Sequence, residues 1–532
     1  MMLGRVGALL VLASAFAVTP LSSAATDAGG TFRVAEEAGN IDSIDGALYD
    51  LAGDVTWVNA ACASLTHLAD KPLPGGFRVT PELASGFPKI SRDGKKYVFT
   101  LRRGLRFSTG APVTATDIAF TINRLLRIHS PLTPAFTEIV GAQAVVDGTA
   151  TRASGVVASG RKLTIRLVEP DGGFVGYAAA SLCVLPANSP LQPSGVTPPV
   201  PSAAPYYISE YAPGQRLVLK RNVYYHGPRP HHVDSFVFDL TVDDTQAIDD
   251  VLNGSADYAW APNAVFAGRA PDLARRFGVN KKQFFVEPTA FLRMFVLNTS
   301  RPLFRDNVEL RRAINFAVDR PALVAQFGAY AETPVDHYLA PIMPGYRNVH
   351  IYPLRGPDVA RARALARGHT RSGKIVLYAP MRPPPQAQAQ IIKQDLKRIG
   401  LDVTIVSFPP GIYFDRIGNP KEPFDMAWVG WLTNAPDPDV LNDLFDGRHI
   451  GTPGNADWSY FNSKKWNGAL TRAARLTGTA RYRAYGKLDI ALARDEAPAV
   501  AYGVDDGLTL VSPRTRCVIA NPYLDLASVC LK

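Results

Sequence analysis

Tyr97 to Arg124 reads YVFTLRRGLRFSTGAPVTATDIAFTINR. Tyr97, Phe99 and Leu101 alternate with Val98, Thr100 and Arg102, the two-residue period of a strand that buries one face. A basic, glycine-containing turn follows. Thr114-x-x-Asp117 then has the spacing of a capping box, and Ile118, Ile122, Leu125 and Leu126 recur at helical spacing behind it. A strand, a turn and a capped amphipathic helix in direct succession mark a mixed α/β chain.

The same alternation recurs outward from this stretch. Leu163, Ile165 and Leu167 predict a strand, as do Phe236, Phe238, Leu240 and Val242, and Leu401, Val403 and Ile405 after Gly400. Helices interleave with them. Asp306-x-x-Glu309 predicts a helix start, with Leu310, Ile314, Ala317 and Val318 on one face; Ile392, Leu396 and Ile399 predict another, stopped by Gly400 as C-cap. The proline-rich stretch 189–205 (SPLQPSGVTPPVPSAAP) reads as a stiff linker, and Met381 to Pro385 (MRPPP) as a rigid helix entry. No period repeats, which argues against a solenoid or propeller.

The N-terminus predicts export. Met1 to Arg5 carries one positive charge, Gly7 to Val18 is apolar, and Pro20 and Ser22-Ser23-Ala24-Ala25 follow, which is the layout of a signal peptide cleaved after Ala25. The apolar run is shorter than the roughly 20 residues that cross a bilayer. No cysteine stands near the cleavage region to accept a lipid, so a free periplasmic protein is expected. The remaining chain of about 500 residues exceeds one hydrophobic core and predicts two or three domains. The net charge of +10 comes from scattered basic residues with no Lys/Arg run, a pattern that speaks against nucleic-acid binding. The cysteines Cys62, Cys183, Cys517 and Cys530 show no CxxC and no metal-ligand spacing. Export permits disulfides, and the expected pairs are Cys62 with Cys183 and Cys517 with Cys530; buried free thiols are the alternative.

Phe107, Gly110, Thr114, Ala115 and Asp117 of the opening stretch match a pattern that resembles the signature region of the bacterial extracellular solute-binding proteins of family 5, which includes dipeptide, oligopeptide and nickel receptors. Pro81-Glu82-Leu83-Ala84, Pro205-Tyr206-Tyr207, Leu219-Lys220-Arg221-Asn222, Arg311-Arg312-Ala313-Ile314 with Ala317-Val318-Asp319-Arg320, and Gly430-Trp431 with Asp437-Pro438-Asp439 resemble further family landmarks in the same order. The resemblance implies a two-lobed α/β fold of the periplasmic-binding-protein type II, with an extra subdomain in lobe I. The expected boundaries are 1–25 signal peptide, 26–288 lobe I with the subdomain about 60–200, 289–498 lobe II, and 499–532 a return to lobe I. Hinge strands are expected near Val286 to Arg293 and Ala499 to Val504. The implied function is that of an extracytoplasmic solute receptor of an ABC importer. The implied partners are a small peptide or peptide-like ligand and the importer's permease and ATPase subunits, and the receptor is expected to be a monomer. No cofactor is expected.

By the same resemblance the ligand contacts come from Glu36 and Glu37 after the first strand, Phe291 on the hinge, Arg382, and Trp431 with Asn434. A planar guanidinium can hold a carboxylate through two parallel hydrogen bonds, so Arg382 suits a peptide C-terminus; a plain surface Arg is the alternative. Trp431 would stack on the ligand or fill the core. At the position of Asn434 the dipeptide receptors carry an Asp for the ligand's amino group. A neutral amide there favours a ligand that is neutral or anionic at that end, or one whose amine meets Glu36 or Glu37. A non-peptide ligand (oligosaccharide, opine-like compound or metal chelate) is the alternative. No HExxH, GxSxG or GxxxxGK[ST] motif is present, so no enzyme is expected and no catalytic residue is assigned. His226, His231 and His232 cluster on a Pro/Gly turn and read as exposed surface residues rather than metal ligands.

Overall fold

Thr114 starts its helix as the spacing predicts. Helix Ala115–Arg127 carries a complete capping box: the Thr114 N–H donates to Asp117 Oδ2 (2.8 Å) and the Asp117 N–H to Thr114 Oγ1 (3.4 Å). The strand before it, Lys96–Thr100, buries Tyr97 and Phe99. It forms a four-stranded antiparallel sheet with Lys89–Ile90, Lys162–Arg166 and Val156–Ser159. Ile118, Ile122, Leu125 and Leu126 pack on that sheet, giving residues of the 60–200 region a core of their own. The computed structural model describes residues 29–532 except 52, 193–194, 434–435, 452–455 and 522; the expected signal peptide and Asn434 lie outside the described residues.

The main sheet runs through the whole molecule. One half is Tyr206–Ala212, Arg216–Arg221, Ser235–Asp239, Thr31–Ala35 and Tyr258–Ala259, in that spatial order. The other half is Met426–Leu432, Lys374–Pro380 and Asp402–Phe408, with Lys374–Pro380 parallel to both neighbours. The two long strands Phe284–Leu297 and Ala499–Val511 pair antiparallel and join the halves. Their ladder is irregular between Pro288 and Leu292, where Pro288 has no N–H to donate, and again at Arg293/Met294. Such breaks remove ladder hydrogen bonds and bend a ribbon, which suits a hinge. Separate apolar clusters cover the two faces of each half.

Three local expectations change. Asp306 takes a left-handed φ of 51°, so no box forms with Glu309. Asn307 becomes the N-cap residue of helix Val308–Ala317, and its amide donates to the carbonyls of Leu303 and His369 (2.8 Å each). Strand Ser235–Asp239 stops before Val242, because Asp239 Oδ1 accepts the N–H and hydroxyl of Thr241 (2.9 and 2.7 Å) and turns the chain. The end of the proline-rich stretch is a packed strap rather than a linker. Val200, Ala203 and Ala204 are buried, and the Ser202 hydroxyl donates to the Ala61 carbonyl (2.6 Å). Disulfides join Cys62 to Cys183 and Cys517 to Cys530.

The 60–200 region reaches across to the far half of the molecule. Gly172 N–H donates to the Ala474 carbonyl (3.1 Å), and a Cβ at Gly172 would run into the carbonyl oxygen of Leu476. Beside this contact the buried Arg481 donates to Asp437 (2.7 Å) and Asp439 (3.0 Å). Removing the cation alone strands two carboxylates in a site built to neutralise them. Arg481→Ala is therefore expected to lower unfolding stability by about 3–5 kcal/mol, read from the denaturant midpoint at unchanged slope. Arg481→Lys should recover only part of it, since one ammonium cannot hold both carboxylates and the Ala474 carbonyl.

Candidate functional site

The strands of each half point their carboxyl ends at the hinge. On one side these ends are Ala35, Asp239 and Ala259; on the other, Pro380, Phe408 and Leu432. Ligands of open α/β sheets sit outside the carboxyl ends of the strands, so the space over the hinge is the candidate site. On the second side this edge exposes apolar side chains: Met381, Ile412, Phe414 and Leu432 are each at least 44% exposed. Large apolar groups gathered at one edge mark a contact surface.

Glu36 follows the first strand, and its N–H donates to the Asp239 carbonyl (3.1 Å). Its carboxyl is fully buried, and neither oxygen has a hydrogen-bond partner. Burial, and then the nearby Asp54 and Asp244, push its pKa well above the usual carboxylate range. Gly53 closes over it, because any Cβ there would strike Glu36 Oε1. Glu37 is half-buried at the start of the turn Ala38–Asn40. It faces Asp244, whose carboxyl is raised by burial first and also by Glu37; Asn40 Nδ2 opposes this by donating to it (2.9 Å). The two glutamates thus differ: Glu36 is sealed inside and Glu37 is accessible.

Phe291 and Arg382 come together, through a residue the sequence reading passed over. Arg293 donates from Nε and Nη2 to the two oxygens of Asp505 on the partner strand (2.7 Å each). Its guanidinium lies 4.1 Å from the ring centre of Phe291, 4.6 Å from Phe327 and 5.3 Å from Trp428. Gly430 makes room for it, since a Cβ there would meet Phe291 and Arg293 within 2.7 Å. Arg382 stands at the edge of this group, 6.0 Å from the Trp428 ring. Its pKa is lowered by burial and then by the charge of Arg293. Among the described residues no carboxylate lies within 4.0 Å of the Arg382 guanidinium, so it is an exposed cation without an ion-pair partner. A lone Arg inside the apolar strand FLRMFVL was the signal for Arg293.

Trp431 is not with Arg382. Residues alternate faces along a strand. Trp428 and Gly430 therefore face Arg293, while the half-buried Trp431 faces the other way and meets the Trp458 ring edge-on at 5.6 Å. The histidine turn has a structural task that the sequence reading missed. His226 and His232 are exposed, but Arg229 between them is buried. It bonds Asp70 (3.0 Å) and Asn59 (2.6 Å) and lies 3.9 Å from Asp525 of the C-terminal tail. Among the described residues no three His, Cys, Asp or Glu side chains are grouped to hold a metal.

Glu332 borders the Arg293–Asp505 pair, 3.4 Å from Arg293 Nε, and its side chain is wholly buried. Burial, and then Asp505, raise its pKa to about 10. The folded protein therefore binds a proton there that the unfolded chain releases above the ordinary carboxylate range, so this group's contribution to stability falls as pH rises toward that value. Glu332→Gln should remove the penalty. Its stability gain over the parent, measured by urea unfolding, is expected to grow between about pH 5 and about pH 9.

Comparison with known proteins places this architecture. A family profile described as bacterial extracellular solute-binding proteins, family 5 Middle, matches residues 78–451. Heme-binding protein A of Haemophilus influenzae is 24% identical over 482 residues, covering 84% of this chain and 83% of that protein. Di/tripeptide-binding protein 3 of Pseudomonas aeruginosa is 25% identical over 396 residues, covering 69% and 70%. Among solved structures, the clavulanic acid biosynthesis oligopeptide binding protein 2 superposes with a TM-score of 0.81 at 21% identity, covering 95% of this chain and 96% of that one, a likeness of fold. The match over most of the chain establishes that the protein belongs to the bacterial extracellular solute-binding proteins of family 5.

Proposed function

We infer that the protein is the extracytoplasmic receptor of an ABC importer that captures a peptide or peptide-like ligand between its two lobes and catalyses nothing. One observation carries the reading: the carboxyl ends of both half-sheets converge on one edge, and Arg382 stands there as an exposed cation with no carboxylate within 4.0 Å among the described residues. Relatives named for di- and tripeptide binding support it. Lobe I comprises 26–288 and the return 499–532, and lobe II comprises 289–498. Arg382 holds the ligand's carboxylate beside Phe291. Glu37 meets the other end, and the apolar edge at Met381 and Leu432 covers the ligand's body. Trp431 supports the site from the opposite face of its strand. The exported receptor is a periplasmic monomer that presents the closed form to permease and ATPase subunits. The ligand favours closure by its differential affinity for the two states.

A metal chelate or other non-peptide ligand is the second reading, favoured by the relative named heme-binding protein A. Titration calorimetry with di- and tripeptides, set against absorbance titration with haem, separates the two. With a peptide that binds, Arg382→Ala should lose on the order of 2–5 kcal/mol of binding free energy, and amidation of the peptide's C-terminus should cost the parent about as much. Unchanged affinity in both experiments removes Arg382 from the site.

A further inference from the structure

Helix Gly478–Asp495 presents Arg483, Lys487, Ile490 and Arg494 at steps of four, three and four residues, which places them on one face. Segment 345–352 lies along this helix. Gly345 and Gly486 allow the close approach, since a Cβ on Gly486 would run into the Gly345 carbonyl oxygen. At the other end the Tyr352 hydroxyl donates to the Ala493 carbonyl (2.8 Å). Two cavities open along the seam. One, of about 430 Å³, is lined by Arg347, Tyr482, Arg483 and Lys487. The other, of about 470 Å³, has Phe316, Tyr352 and Ile490 among its walls and the cations Arg312, Arg361 and Arg494. The exposed His350 also lines the second cavity.

The charge of this trough is one-sided. Arg494 pairs with Asp495 and Arg312 with Glu309. Arg361 lies over the Phe316 ring at 4.1 Å. Among the described residues Arg347, Arg361, Arg483 and Lys487 have no carboxylate within 4.0 Å. The acids beneath the trough are already engaged. Asp489 accepts from His337 Nδ1 (2.7 Å) and from the Tyr338 N–H (2.8 Å), and Asp336 from the backbone N–H groups of Ile351 and Tyr352 (2.5 and 2.8 Å).

We propose that this trough is a docking surface for an extended acidic segment of a partner protein. From Arg483 to Arg494 the helix rises about 16 Å. An extended chain advances about 3.3 Å per residue, so five or six residues span the row and bring alternate carboxylates to successive cations. A trough with cationic walls fits such a strand better than it fits a flat bilayer surface. The half-buried Ile490 gives the segment one apolar contact. The surface is built on helices and a strap away from the hinge, and the inference does not depend on the identity of the captured ligand.

The test is fluorescence anisotropy of a labelled hexaglutamate peptide titrated with the purified protein at low and at physiological salt. The expected result is saturable binding that weakens with salt and drops tenfold or more in Arg483→Glu/Lys487→Glu. The control Lys89→Glu/Lys96→Glu makes the same charge change at exposed lysines of the small sheet and should stay within twofold of the parent. Equal losses in the two variants would show only net charge at work and overturn the proposal. Failure to saturate would overturn it too, as would equally tight, Arg483-dependent binding to phosphatidylglycerol vesicles. Matching thermal melts for both variants confirm that each is folded.

Discussion

The antiparallel pairing of Phe284–Leu297 with Ala499–Val511 is the constraint on which the molecule depends. These strands carry one sheet through both halves, and each half completes itself against them. Strand Met426–Leu432 pairs with the first; Tyr258–Ala259 and Glu332–Pro334 pair with the second. The halves therefore meet where the ladder loses its regularity, at Pro288 to Leu292. The Arg293–Asp505 pair crosses the same place, and Glu332 lies buried against it. Separate apolar clusters lie on either side of this ribbon, so each half has packing of its own.

Buried charge organises the rest. Arg124 meets Asp45, Arg229 meets Asp70, Arg481 meets Asp437 and His337 meets Asp489, all inside the protein. Such pairs add little net stability compared with apolar packing, but a lone partner is costly. Each accordingly ties one long-range juxtaposition to a single partner. Arg229 fixes the C-terminal tail against lobe I through Asp525, and Arg481 fixes the Asp437–Asp439 segment beside the 171–173 loop. Among the described residues, Arg382 at the edge of the sheet and Arg347, Arg361, Arg483 and Lys487 along the outer trough are among the cations that have no carboxylate within 4.0 Å.

Much of the fold was legible because its signals are local. The Tyr97 alternation and the Thr114–Asp117 box depend on neighbours within four residues, and both appear as read. The Asp306–Glu309 box failed for an equally local reason, a left-handed residue where an N-cap was expected. The site was less legible. Arg382 and Trp431 seemed to share one surface, yet strand parity turns Trp431 away. Glu36 and Glu37 are adjacent, yet Gly53 seals one of them and leaves the other accessible.

The sequence by itself determined the α/β class, the positions of several strands and helices, and the family landmarks in order. These rest on hydrophobic period, capping and turn chemistry, which short segments express alone. Only the tertiary structure decided which charges are neutralised and which stay free to meet a ligand or a partner. Arg293, Arg382 and Arg483 are chemically alike in the sequence. They are told apart by Asp505 on a strand more than two hundred residues away, by an open edge of the sheet, and by a helix face lined with its own kind. Pairing of charges is set by strand order and lobe contact, and no local pattern encodes it.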